Sequence, residues 1–323
     1  MREEVNQESI LAVFPKDLRK DWEWILNQVE CLEEIRIRVG KPVELLTRQR
    51  ELWIGNNRNI MEKMPERERA YCLTSTQIQS ILEHLCHYSV YAFAQELKQG
   101  FLTIPGGHRV GIAGQVILDE KGSVNGFKTV QYINIRIAGQ KKDCARQLLP
   151  YIYEEGMPCN LLLVSPPGGG KTTMLRDLVR LVSDGNDYAR GMKVAVVDER
   201  SELAGSYRGI PQNDLGNRTD VLDGCPKAEG MMMLVRSMSP QILAVDEIGT
   251  RKDAEALHVA FATGCHVFST IHAKDMEDMK NKGFLRDIME QHYFKRYIFL
   301  EKKETIFRIR EIRNENFQII MRR

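Results

Sequence analysis

The chain has 323 residues, enough for two domains of ordinary size. Its 46 basic and 44 acidic residues give a formal net charge of +2, so no global field marks a nucleic-acid binder and any basic surface is local. Seven cysteines at 31, 72, 86, 144, 159, 225 and 265 show neither a metal-ligand spacing nor an even disulfide set, which fits reduced thiols. The opening residues Met1-Arg2-Glu3-Glu4-Val5 are charged where a secretory signal needs an apolar core, and no stretch supplies roughly eighteen uninterrupted apolar residues. The expectation is a soluble, cytoplasmic protein that meets membranes only peripherally.

In the N-terminal part, Glu34-Ile35-Arg36-Ile37-Arg38-Val39 alternates charged and apolar positions and predicts a strand with one wet face, broken by Gly40-Lys41-Pro42. Ser75 through His84 predicts a helix with Ile78, Ile81, Leu82 and Leu85 on one side and Thr76 capping its start. The stretch from Gly100 to Gly114 holds too many turn residues for a helix and predicts short strands around a close backbone approach. A second alternating run, residues 131–137, completes the expectation of a mixed α+β domain with an antiparallel sheet. Arg109 and Arg136 can face a phosphate across a subunit boundary, or simply occupy exposed strand faces. A division near Cys144 to Gly156 separates residues 1–150 from a nucleotide-binding domain, 151–323.

The sharpest signal follows that division. Leu161-Leu162-Leu163-Val164 predicts a buried parallel strand that feeds Ser165-Pro166-Pro167-Gly168-Gly169-Gly170-Lys171-Thr172-Thr173. The glycines let backbone N–H groups turn toward phosphate oxygens, Lys171 adds a mobile cation, and Thr172 supplies the hydroxyl that a phosphate loop places on magnesium. Ser165 stands where the usual motif has its first glycine. Met174 to Val182 then forms a helix whose largely apolar face is broken by charged residues.

Two further strands end in carboxylates, the position at which open α/β sheets bind ligands. Residues 192–197 lead into Asp198-Glu199-Arg200, where Glu199 can organise water or magnesium with Asp198 beside it, although either can instead pair with Arg200. Residues 241–245 lead into Asp246 and Glu247. Asp246 can accept from Thr172 or hold metal-bound water, and Glu247 can orient the water that attacks the γ-phosphate. Residues 266–272 form a fourth core strand in which Thr270 and His272 can sense that phosphate, whereas His266 reads as structural. Arg251 to Ala262 forms a crossover helix before it, and Met231 to Val235 reads as a packing segment. The connection between 200 and 240 can leave the core and deliver Arg218 or Arg236 to a neighbouring site.

Together these motifs resemble the type II and type IV secretion ATPase family, with residues 211–220, Arg236-Ser237-Met238-Ser239-Pro240 and Asp246-Glu247-Ile248-Gly249 similar to its sporulation stage III variant. The resemblance implies a RecA-like P-loop core beneath a smaller mobile α+β domain, ATP and Mg2+ as ligands, and a homo-hexameric ring. Glu247 takes the catalytic assignment, Asp198-Glu199 the acidic box, residues 270–273 the histidine box, and Arg236 a family arginine. It further implies an ATPase on the mother-cell side that is recruited to membrane-bound channel proteins facing the forespore. Asp246 replaces a glycine common in the family, which implies slow turnover. A nucleic-acid-dependent ring ATPase is the alternative, which the near-neutral charge disfavours.

Overall fold

The computed structural model describes residues 7–89, 93–98, 100–303 and 306–322, so Met1-Arg2-Glu3-Glu4-Val5 lies outside the described residues. Contacts divide the chain into two compact units, Met1–Gln140 and Lys141–Arg323. This division falls earlier in the chain than the expected 150, because Ala145, Leu148, Leu149 and Ile152 are buried in the core of the second unit.

The first unit holds α1 (Gln7–Leu11), α2 (Lys16–Leu26), β1 (Leu32–Arg38), β2 (Glu44–Thr47), β3 (Glu51–Ile54), β4 (Ile60–Met61), α3 (Ser75–Leu85), α4 (Ala94–Lys98), β5 (Phe101–Thr103), β6 (Arg109–Leu118) and β7 (Val124–Arg136). Its strands form one antiparallel sheet in the order β4-β3-β2-β1-β7-β6-β5. Alternation decides which residues enter the core. Ile35 and Ile37, Ile133 and Ile135, and Val110 and Ile112 are buried with Trp22 and Ile25 of α2 and Ile78 and Ile81 of α3. The intervening positions carry Arg36, Arg109 and Arg136; Arg109 lies opposite Arg136 in register, with its guanidinium 4.2 Å from the Phe101 ring centre.

The close backbone approach is at Gly114, where a Cβ would stand 2.0 Å from the Thr129 carbonyl oxygen. The cap of α3 is Thr74 and not Thr76. Thr74 accepts from the Gln77 N–H at 3.2 Å while the Gln77 side chain accepts the Thr74 N–H at 2.9 Å, a reciprocal box that Thr76, already inside the first turn, is placed too late to form.

In the second unit, α5 (Leu149–Ile152) and a small hairpin of β8 (Tyr153–Glu154) and β9 (Met157–Pro158) precede β10 (Leu161–Ser165) and α6 (Lys171–Asp184). Another small hairpin, β11 (Gly185–Asn186) and β12 (Ala189–Arg190), leads to β13 (Val194–Asp198), β14 (Thr219–Asp223), α7 (Lys227–Met238), β15 (Ile242–Glu247), α8 (Arg251–Ala262) and β16 (His266–His272). The chain ends with α9 (Met276–Lys280), α10 (Arg286–Glu290), β17 (Arg296–Lys303), β18 (Ile306–Asn314) and β19 (Ile319–Arg322). The main sheet runs β14-β13-β15-β16-β10-β17-β18-β19. Strands β14 through β17 in that order are parallel, and β18 and β19 extend the edge antiparallel.

The four core strands expected from sequence therefore share one predominantly parallel sheet. Their unbroken apolar runs follow from burial on both faces. Leu161 and Leu163 pack with Leu175 and Leu178 of α6, whereas Leu162 and Val164 pack with Met231 of α7 and Leu257 of α8. The connection expected to leave the core instead returns to it, since Thr219–Asp223 adds the edge strand beside β13. Met231 is fully buried in α7, as its packing role requires.

Candidate active site

The turn between β10 and α6 is shaped by contacts that demand small residues. Gly168 and Gly170 have φ of +68° and +86°, in the left-handed region. At Gly169 a Cβ would come within 2.1 Å of Ser165 Oγ. Ser165 is buried and its hydroxyl donates to the Pro166 carbonyl at 2.9 Å, so a small residue is needed there to fit beneath Gly169. Pro166, Pro167 and Gly168 are exposed, while Thr172 and Thr173 are partly buried in the first turn of α6. The positive end of that helix faces the loop.

Lys171 is buried, and its ammonium donates to the Ser165 carbonyl at 2.9 Å, to the Pro166 carbonyl at 3.2 Å and to His272 Nδ1 at 2.7 Å. An ammonium has only donors, so Nδ1 accepts and the proton resides on Nε2, which faces Glu247 Oε2 at 3.2 Å. Burial lowers the Lys171 pKa to about 8, against the opposing fields of Glu247 and Asp246. Lys171, His272 and Glu247 thus form a continuous polar chain at the C-terminal ends of β10, β16 and β15.

A bulge separates Asp246 from Glu247. The β15–β16 register shifts between Val245 and Glu247, which lets the two successive carboxylates take different partners. Glu247 meets His272, while Asp246 Oδ1 accepts from the Thr172 hydroxyl at 3.3 Å. Asp246 has its pKa raised to about 6 by desolvation first and then by Glu202 and Asp198, with the Thr172 bond opposing. Thr270 is buried inside β16, and its carbonyl accepts the Ile248 N–H that ends the bulge.

Asp198 is fully buried, and its two oxygens accept the N–H groups of Glu202 and Ala204 at 2.8 and 2.7 Å. Desolvation pushes its pKa up against those bonds. Glu199 pairs with Lys227 at 3.1 Å, at the start of α7. Arg218 directs its guanidinium to the Gly191 carbonyl at 2.9 Å, immediately before β14, and Arg236 is exposed in the last turn of α7. Both lie toward the N-terminal ends of the parallel strands, so neither is brought to the phosphate loop of its own chain. His266 is half-buried at the start of β16, where desolvation lowers its pKa.

Arg176 joins the site with no motif to mark it. Its guanidinium donates to the Leu203 carbonyl at 2.7 Å and the Glu202 carbonyl at 2.6 Å, and it lies in the fields of Asp198 and Asp246, which oppose the lowering of its pKa by burial. It fastens the turn after β13 beneath the mouth of the sheet. The charged interruptions in the apolar face of α6 were its visible signal.

With that geometry in place, comparisons with known proteins converge. The family described as "Sporulation stage III, protein AA" matches residues 4–320. Stage III sporulation protein AA of Bacillus subtilis (strain 168) is 42% identical over 314 residues, covering 97% of each chain. The Legionella pneumophila ATPase DotB shares the fold with a TM-score of 0.60 at 14% identity, over 94% of this chain and 81% of that one. The pilus retraction motor PilT, solved with ADP, gives a TM-score of 0.51 at 14% identity, over 84% and 74% of the two chains. The fold is therefore a RecA-like α/β core with a smaller α+β N-terminal domain, and the chain belongs to the sporulation stage III protein AA family.

Proposed function

We infer that the protein is a magnesium-dependent ATPase whose turnover drives assembly of, or transport through, a channel between mother cell and forespore. The observation that carries the reading is the chain Lys171–His272–Glu247 beside a phosphate loop, with Thr172 and Asp246 adjacent. The loop N–H groups and Lys171 bind the phosphates, and an arriving γ-phosphate competes with His272 for the lysine. His272, released from Lys171, remains next to Glu247, so the presence of that phosphate changes the hydrogen bonding of the carboxylate that orients the attacking water.

The paired oxygens of Thr172 and Asp246 suit a hard cation, with Asp198 and Glu199 on the neighbouring strand end. Magnesium, when bound, neutralises charge on the phosphates. Among the described residues no helix is long and apolar enough to cross a membrane. The reading is a homo-hexamer recruited peripherally to membrane-bound channel proteins, with Arg218 or Arg236 completing a neighbour's site. Purified protein should release phosphate from ATP only when magnesium is present. Release no greater than that of Lys171→Ala at any magnesium concentration would overturn the ATPase reading.

A further inference from the structure

The phosphate loop has an aromatic neighbour that phosphate chemistry does not use. A Cβ on Gly170, the residue just before α6, would stand 2.4 Å from Cγ of Phe307, so this ring lies directly against the loop backbone. Phe307 is only partly buried. Lys141 and Lys302 place their ammonium groups over the ring, 5.4 and 5.8 Å from its centre, so a base stacking there displaces them toward its phosphates. Lys302 is held there as the cross-strand partner of Phe307 between β17 and β18. Lys141 arrives from a different segment, which is tied to α6 where the Asp143 and Ala145 N–H groups donate to Asp177.

A phosphate loop by itself grips phosphates and is indifferent to what they are attached to. An aromatic surface next to that loop adds a partner for a flat heterocycle, and nearby ammonium groups favour the polyphosphate attached to it. We propose that Phe307 is the stacking platform for the nucleobase of the nucleotide held by the loop, with Lys141 and Lys302 drawing its negative charge to that rim. The proposal rests on the nucleotide-binding reading and adds how the base is held. The plain alternative is that the ring merely covers Gly170.

Calorimetry with ATP and with inorganic tripolyphosphate, each with magnesium, separates these cases. Phe307→Leu keeps apolar cover over Gly170 but removes the π-face, and it should weaken ATP binding about tenfold while changing tripolyphosphate binding less than about twofold. Phe307→Trp should retain ATP binding, and ATP but not tripolyphosphate should quench the added indole fluorescence. Equal loss of both ligands in Phe307→Leu, or unchanged ATP binding, would overturn the platform. Wild-type protein that binds neither ligand more tightly than Lys171→Ala would instead overturn the nucleotide reading, and the platform with it.

Discussion

His108 in the first unit and His272 in the second each use both ring nitrogens, but their partners differ in kind. His108 is buried, accepts the Ala138 N–H at Nδ1 and faces the Ser9 hydroxyl at 2.7 Å through Nε2. Its partners are neutral groups fixed by the fold. His272 is partly exposed and stands between the Lys171 ammonium and the Glu247 carboxylate, two charges that an incoming anion can redistribute. The same contrast runs through the buried charges of the second unit. Asp177 is enclosed by the N–H groups of Asp143 and Ala145 and by Arg180, whereas Lys171 and Asp246 have pKa values moved to about 8 and about 6. A polar network closed by fixed partners holds a shape, and one whose ionisable groups have shifted pKa values at a sheet mouth is a candidate for chemistry.

The largest effect should come from breaking the movable network. Glu247→Gln keeps the size of the side chain but removes the charge proposed to orient water, so ATP binding should persist while phosphate release falls on the order of a hundredfold. Paired binding and single-turnover assays measure the two separately. Normal release by Glu247→Gln would remove Glu247 from catalysis.

Breaking the enclosed network should affect stability instead. Asp177→Ala leaves two backbone N–H groups and the guanidinium of Arg180 without their shared acceptor, at a cost of about 3 kcal/mol. Urea unfolding followed by far-UV circular dichroism should show the loss. A change below about 1 kcal/mol would mean that water replaces the carboxylate easily, and that the segment 143–145 is less firmly tied to α6 than its bonds indicate.

The pH dependence of His108 tests the first unit by itself. Burial lowers its pKa from 6.5 to about 4, so the unfolded chain binds the proton more readily than the folded one. The stabilisation is therefore complete above pH 6.5 and is lost as pH falls toward 4, by about 3 kcal/mol over that window. All three tryptophans, Trp22, Trp24 and Trp53, belong to this unit, so their emission reports its unfolding. His108→Gln can donate to Ser9 and accept from Ala138 without titrating. The stability gap between wild type and this variant should shift in favour of the variant on acidification, and a gap independent of pH would contradict the assignment.

What the sequence made legible was whatever local pattern alone determines. Leu161 to Val164 and Leu243 to Val245 are apolar throughout because helices cover both faces of their sheet, and the carboxylates that follow stand at the strand ends. Less visible was Thr219–Asp223, a short edge strand with only partial cover. The contact between Lys171 and His272 joins residues 101 positions apart and depends on β16 lying beside β10, an order across the sheet that order along the chain does not determine. Phe307 was hidden for the same reason, because β18 reaches the loop only through sheet pairing beyond β17.

The smallest effect concerns the cap of α3, where a misplacement by two residues can be measured. Thr74 closes the box with Gln77, while Thr76 Oγ1 makes only a 2.9 Å hydroxyl contact with Thr74 and is otherwise inside the first turn. Thr74→Ala removes an acceptor for one helix-start N–H and should cost about 1 kcal/mol. Thr76→Ala removes no cap and exchanges a β-branched residue for the best helix former, so its cost should be close to zero. Tryptophan-detected unfolding compares the two variants under identical conditions. If Thr76→Ala proved the more damaging, the hydroxyl pair rather than the reciprocal Thr74–Gln77 bonds would be what fixes the start of the helix against the Ile78 and Ile81 core.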